Sequence, residues 1–498
     1  MIQKPVFTPQ TEWVPPESFP DLSQYEEISI DLETKDPDLK TMGSGSITGR
    51  SEIVGIALAV EGWSGYYPIA HEGGGNLDKK KVMDYFRTIL NYPSTKIFHN
   101  AMYDVCFIRA AGLKINGRIV DTMIAGSLVD ENRFRYDLGS MGRDYVGKGK
   151  NEAVLAETAA IWGVDAKSEM YKLPAIYVGE YAERDAELTL DLWQQMKQEI
   201  QHQDIEAIFN LETELFPCLV DMRFLGVRVN VEGANQLKHK LLTEEKECLQ
   251  KVKKETGVDT QIWAARSIAQ VFQKLNLPFD RTEKTNSPSF TKNFLKNHPH
   301  PIVKHIARAR EINKAHTTFI DTILKHEHKG RIHAEINQLR SDQGGTVTGR
   351  FSYNNPNLQQ IPARNKEIGP LIRSLFIPEE NHTWGVFDYS QQEPRLVVHY
   401  ALKLKDQDIS GAKDMAKRYK EEPDTEFHDM VAEMASITRK QAKTINLGLF
   451  YGMGKNKLAR SLELEPEEAK DLFDQYHREV PFVRQLANSL QKFAEQNK

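Results

Sequence analysis

Two short segments constrain this chain more than any other part of it. The first reads Trp384-Gly385-Val386-Phe387-Asp388-Tyr389-Ser390. An apolar run there delivers one carboxylate, Asp388, at the end of an expected buried strand. The second segment, Arg439 to Gly452, reads as a helix. Arg439, Lys443, Leu447 and Tyr451 recur every four residues, so they drift slowly round one side, over about 120° at 3.6 residues per turn. Two of the four are cationic, where a purely structural amphipathic helix would place apolar residues. Cations so spaced can hold a phosphate chain.

A chain of 498 residues has room for two or three domains. Hydrophobic residues make up 40%, and the mean hydropathy is −0.53. Both fit a soluble globular protein. No apolar run approaches the roughly 18 residues that span a bilayer, and the N-terminus lacks the apolar core of a secretory signal. Cys106, Cys218 and Cys248 lie far apart, in no zinc-type or disulfide spacing. A reducing intracellular setting is therefore expected. Net charge is −5, so any binding of nucleic acid must rest on local positive charge lining a groove.

In Ile28-Ser29-Ile30-Asp31-Leu32-Glu33-Thr34 apolar and polar residues alternate. Period two predicts a half-buried strand, with Asp31 and Glu33 on one face. Adjacent carboxylates repel unless a cation sits between them, and a hard divalent ion such as Mg²⁺ suits oxygen ligands. Taken alone, the pair is equally a strand end with ordinary surface acids. Two further segments follow. Ile97-Phe98 predicts a short strand leading through His99 and Asn100 into a helix that carries Asp104. Tyr181 and Asp185, four apart, share one helical face.

In this order the three segments resemble the exonuclease motifs of DnaQ-like 3′–5′ proofreading domains. The resemblance implies that Asp31, Glu33 and Asp185 hold a metal pair, with Asp104 as an outer ligand. Tyr181 then orients the attacking water and Asn100 helps hold the terminal nucleotide. Asp121 resembles a further acid of that fold and reads as structural.

Beyond these motifs, Leu211 to Val229 resembles the opening of the family-A DNA polymerase domain, the DNA polymerase I group. A thumb is expected next, with Lys304, Arg308, Arg310 and Lys314 as a basic stretch suited to sequence-blind backbone contacts. Thr346-Val347-Thr348-Gly349-Arg350-Phe351-Ser352 and Pro356-Asn357-Leu358-Gln359-Gln360-Ile361-Pro362 resemble two signatures of that family. Arg350 can fork onto a phosphate or base edge. Asn357 and Gln359 suit minor-groove hydrogen bonds at the primer–template end. The segments at Asp388 and Arg439 then resemble motifs A and B. By that likeness Asp388 and the Tyr389 carbonyl bind catalytic Mg²⁺, two ions per site, with Mn²⁺ as an alternative. Glu393 is the steric gate against ribonucleotides, with Arg395 bracing it or a neighbouring acid. His428, Arg439 and Lys443 reach the triphosphate, and Tyr451 sits against the templating pair. Gln392, Pro394 and Leu447 depart from the residues usual there, and Leu447 bears on analogue discrimination.

The expected architecture is an RNase H-like α/β exonuclease domain at 23–203, after an irregular segment at 1–22. An α+β right-hand polymerase domain follows at 204–498, C-terminally incomplete, with thumb, part of the palm and part of the fingers. The family's motif C, a His-Asp-Glu turn carrying the second palm aspartate, does not occur; His428-Asp429 is followed by Met430. The expectation is that this chain alone degrades DNA but polymerises weakly or not at all, until a second polypeptide supplies the missing palm. Its other partners are primer–template DNA and dNTPs, with no membrane. Its expected place is the bacterial cytoplasm, including that of a phage-infected host, since the compact layout is similar to that of phage polymerases. Competing readings are a stand-alone exonuclease whose C-terminal half grips DNA, and an inactive DNA-binding scaffold.

Overall fold

The computed structural model describes residues 9–363, 365–404, 411–435, 437–462 and 464–496. The chain divides into two compact units between Thr383 and Trp384. Residues 9–22 carry neither helix nor strand; residues 1–8 of the segment expected to be irregular lie outside the described residues.

The first unit is built around the predicted strand, β1 (Glu27–Lys35). It pairs antiparallel with β2 (Glu52–Val60), which pairs antiparallel with β3 (Trp63–Pro68). On its other side it runs parallel to β4 (Thr95–Phe98), itself parallel to β5 (Ile119–Asp121). The order is β3-β2-β1-β4-β5. Ile28, Ile30 and Leu32 share one face and enter the main core with Phe86 and Ile89 of α1 (Lys79–Asn91) and Val105 and Ile108 of α2 (Ala101–Ala110). α3 (Thr122–Val129) and α4 (Ala153–Trp162) follow in the chain.

Alternation predicted a half-buried strand, and here the structure differs. Ser29 is fully buried and Glu33 nearly so. The reason is α5 (Gly179–His202), which lies across β1, β2 and β3 and covers the polar face. Small residues make that approach possible. Ala57 and Ala59 of β2 pack on Ala182 and Ala186 of α5, with Tyr66 beside them.

After α6 (Glu206–Leu225) the chain turns at Gly226, whose φ of 62° puts it in the left-handed region. The turn opens β6 (Val227–Arg228), which pairs with β8 (Arg331–Ile332), and β8 pairs in turn with β7 (Glu327–His328). A long charged helix, α7 (Val231–Thr256), packs along α8 (Pro301–Lys314). β9 (Glu335–Asn337) and β10 (Ser352–Asn354) make a further antiparallel pair.

The second unit is helical: α9 (Gln392–Lys403), α10 (Phe427–Ala435), α11 (Arg439–Phe450), α12 (Pro466–Glu479) and α13 (Pro481–Gln496). They share a core that includes Val398, Phe427, Val431, Ile445, Tyr476 and Phe482. The strand expected before Asp388 is absent. Residues 384–389 carry no strand, and Val386 and Phe387 are 87% and 96% exposed. A strand needs neighbours to take its backbone hydrogen bonds, and among the described residues none pairs with this segment.

Candidate active sites

Asp31, Glu33, Asp104 and Asp185 lie close enough together beside β1 to repel one another. Asp31 and Glu33 stand opposite Ala57 and Gly55 of β2. Asp104, in the first turn of α2, accepts a hydrogen bond from the backbone N–H of Leu32 at 3.1 Å. It is thereby tied to the strand between the two acids. Asp185, 2% exposed, arrives from α5 with Tyr181 one turn earlier.

The electrostatics reflect that crowding. Desolvation, with repulsion from Asp185, pushes Asp31 up to about 7. Burial raises Glu33 well above the carboxylate range, and Asp31 and Asp185 add to it. Asp104 is raised well above its ordinary value by burial and then by Asp31. Asp185 is raised by burial in spite of its cationic neighbour. That neighbour is Lys150, whose Nζ donates to Asp185 Oδ2 at 2.5 Å and to Tyr181 Oη at 3.3 Å.

Asp121 has a different task. Its carboxylate accepts from the backbone N–H groups of Asn100, Ala101 and Met123 at 2.8–2.9 Å, so it caps the starts of α2 and α3. Asn100, at the N-cap of α2, is held in the left-handed region with φ 66° and is half-exposed.

The donor set fits a hard divalent cation. It is all oxygen, three of its four carboxylates are buried, and Asp185 Oδ1 has no hydrogen-bond partner. Even so, among the described residues no three His, Cys, Asp or Glu side chains are drawn together at metal-holding distance. Lys150 was missed in reading the sequence. The signal was faint: one lysine in Gly147-Lys148-Gly149-Lys150-Asn151, a loop with no periodicity.

Of the residues expected to touch DNA in the first unit, Arg350 and Gln359 are exposed. Asn357 caps the 3₁₀ turn Leu358–Gln360, and Gln359 donates to the Phe351 carbonyl at 2.9 Å. Two of the four basic residues of α8 are committed elsewhere. Arg308 binds Glu244, Glu311 and Glu367, and Arg310 donates to the carbonyls of Ile262 and Phe290. Both face neighbouring elements rather than solvent, whereas Lys304 and Lys314 are exposed.

In the second unit Tyr451 Oη donates to Glu393 Oε1 at 3.1 Å, joining the ends of α9 and α11. Thr438 and Gln441 form a capping box that starts α11. Arg439 pairs with Glu426 and Asp429, each at 2.9 Å. Lys443 is exposed and Leu447 half-buried. His428 is 7% exposed, with its Nδ1 2.9 Å from the Asn446 amide. Burial, then Lys443 and Arg439, hold its pKa below the usual value. Arg395 does not brace Glu393. It donates to the Ser390 and Pro423 carbonyls and stacks on Tyr419, and these contacts hold its guanidinium away from Glu393. Asp388 and Tyr389 lie on the exposed irregular segment described above.

Comparison with known proteins agrees with this layout. The family model for the 3′–5′ exonuclease matches residues 8–201, and that for DNA polymerase family A matches residues 231–498. This chain is a family-A DNA polymerase. A DNA-directed DNA polymerase of Pseudomonas phage M6 is 34% identical over 98% of the chain and 82% of that protein. DNA polymerase DpoZ of Salmonella phage PMBT28 is 28% identical over 96% of the chain and 80% of that protein. DNA polymerase I of Pseudomonas aeruginosa is 28% identical over 93% of the chain and 50% of the longer relative. Among solved structures, the POL domain of Pol1 from M. smegmatis, in complex with DNA primer-template and dNTP, aligns with a TM-score of 0.72. It shares 21% identity, covering 95% of this chain and 76% of that one, and supports the fold. The polymerase is thus a DNA-directed DNA polymerase with an exonuclease domain. No helix among its described residues is long and apolar enough to cross a membrane.

Proposed function

We propose that the first unit removes nucleotides from DNA 3′ ends at the Asp31–Glu33–Asp104–Asp185 cradle, while the polymerase half extends a primer at Asp388. The convergence of three buried acids, Glu33, Asp104 and Asp185, with half-buried Asp31 beside Tyr181 carries the exonuclease reading. Asp31, Glu33 and Asp185 would hold Mg²⁺, two ions with Mn²⁺ as a substitute, and Asp104 would support them. When bound, such ions supply an activated water and neutralise charge on the phosphate. The chain's own groups do the rest. Tyr181 orients the water, Asn100 holds the terminal nucleotide, and the cover of α5 limits the access of bulk solvent.

In the polymerase half Asp388, with the Tyr389 carbonyl, would hold the corresponding ions. Arg439, Lys443 and His428 would take the triphosphate. Glu393 would exclude ribose, and Tyr451 and Leu447 would face the nascent pair. Arg350, Asn357 and Gln359 would grip the primer–template. We assign residues 23–203 to the exonuclease domain and 204–498 to the polymerase domain, with residues 1–22 as an irregular lead. The setting would be the bacterial cytoplasm, including that of a phage-infected host.

A labelled primer–template incubated with Mg²⁺, with and without dNTPs, tests both halves. Shortening lost in Asp31→Ala supports the exonuclease; shortening unchanged in that variant refutes it. A narrower proposal concerns synthesis. These 498 residues by themselves would extend primers weakly or not at all, and a second polypeptide bearing another palm carboxylate would restore extension. The exposure of the segment carrying Asp388 supports this. Efficient extension by the chain alone, lost in Asp388→Ala, refutes it.

A further inference from the structure

The exonuclease cradle contains a cation of its own. Lys150 sits on the loop between the π-turn Gly142–Val146 and α4. That loop is strapped along α5 by consecutive links. Lys148 pairs with Asp191 at 2.8 Å, and Arg184 donates to the Gly149 carbonyl at 3.3 Å. Asn151 donates to Glu180 at 2.6 Å. Between these exposed ties the Lys150 ammonium reaches inward to Asp185 and Tyr181, its side chain 19% exposed.

We propose that Lys150 is a positioning residue of the exonuclease, an internal counter-ion that holds the carboxylate cradle until a divalent cation displaces it. This rests on the exonuclease reading above. Four acids gathered in one place, three of them buried, repel one another, and an ammonium among them relieves that repulsion. A divalent ion and an ammonium cannot share the same carboxylate oxygens without repelling each other in turn. Asp185 illustrates the arrangement. Oδ2 is taken by Lys150, while Oδ1 is buried without a partner. The strap can lift at small cost, because its other ties are exposed ion pairs and hydrogen bonds of little individual strength. Lys150 therefore sets the metal concentration at which the site becomes competent.

The test uses the full chain in an Asp388→Ala background, so that bound metal reports on the exonuclease site. Mn²⁺ binding is followed by electron paramagnetic resonance, and melting in EDTA and in Mn²⁺ by circular dichroism. Lys150→Met should bind Mn²⁺ about tenfold more tightly, melt lower in EDTA, and gain more from Mn²⁺. Lys150→Arg, which keeps the charge, should stay within about twofold of the parent. In the parent itself, amine labelling of Lys150 should be slow in EDTA and accelerate about tenfold or more on adding Mn²⁺. Unchanged or weaker Mn²⁺ affinity in folded Lys150→Met overturns the inference. If that variant does not fold, a labelling rate indifferent to Mn²⁺ overturns it. Asp31→Ala separates the two ideas. Mn²⁺ binding that survives this change refutes the exonuclease cradle itself, whereas binding lost there but unmoved by Lys150→Met refutes only the role of Lys150.

Discussion

Gly55→Ala offers a sharp test of how the exonuclease face is assembled. Gly55 stands opposite Glu33 in the β1–β2 register. A Cβ there would lie 2.0 Å from Tyr66 Oη, 2.3 Å from Cζ and 2.4 Å from Cε2. Carbon contacts are comfortable from about 3.5 Å, so the ring must retreat by about 1.5 Å. Tyr66 is fully buried, and its phenol donates to His71 Nε2 at 2.7 Å. Overpacking of this kind costs about 1–3 kcal/mol, and losing the hydrogen bond adds about 1 kcal/mol. The sum, roughly 2–4 kcal/mol, corresponds to a fall in Tm of roughly 2–5 °C for a unit of this size. Displacement beside Glu33 should lower exonuclease turnover by about 10²-fold. Thermal melts and a 3′-end degradation assay read the two effects. Tyr66→Phe should not rescue, because the ring carbons still clash. Tyr66→Ala should relieve the clash, giving a double-mutant coupling above about 1 kcal/mol. Additivity within about 0.5 kcal/mol would refute the reasoning.

Other tests follow from single contacts. Burial holds His71 down to about 4, against roughly 6.5 in the unfolded chain. Between those values the unfolded state binds more protons, so this contribution is complete above about pH 6.5 and is lost as the pH falls towards 4. Urea unfolding should show about 3 kcal/mol of loss over that window, and His71→Gln should flatten the dependence. Arg308→Ala should destabilise the first unit by about 1–3 kcal/mol, leaving the salt dependence of DNA binding unchanged. Lys304→Ala should instead reduce that slope by about 0.9 in a filter-binding titration. Tyr451→Phe removes the donor to Glu393; ribonucleotide incorporation should rise, though by less than in Glu393→Ala, as a single-nucleotide extension gel would show.

Parts of the candidate sites were legible because local pattern carries them. Alternation placed Asp31 and Glu33 on one face, and the four-residue spacing of Tyr181 and Asp185 placed them on one side of α5. Motif B reads as a helix because Thr438 and Gln441 cap it and no residue breaks it before Phe450. Other parts were not legible. Arg308 and Arg310 look alike in the sequence as free cations, and only their carboxylate and carbonyl partners, distant in the chain, show that they are tied into the fold. The run before Asp388 has strand composition, yet composition supplies no pairing partner.

By itself, the order of residues determined which acids share a face, which helix presents cations, and which family the chain resembles. The first two are matters of period and spacing and the third of motifs in order, and all three can be read along the backbone. Tertiary structure decided that the acidic face of β1 is covered, that alanines let α5 come close enough to deliver Asp185, and that Lys150 stands among the acids. Each depends on which distant surfaces exclude water together, and charge and burial are properties of that enclosure rather than of any segment within it.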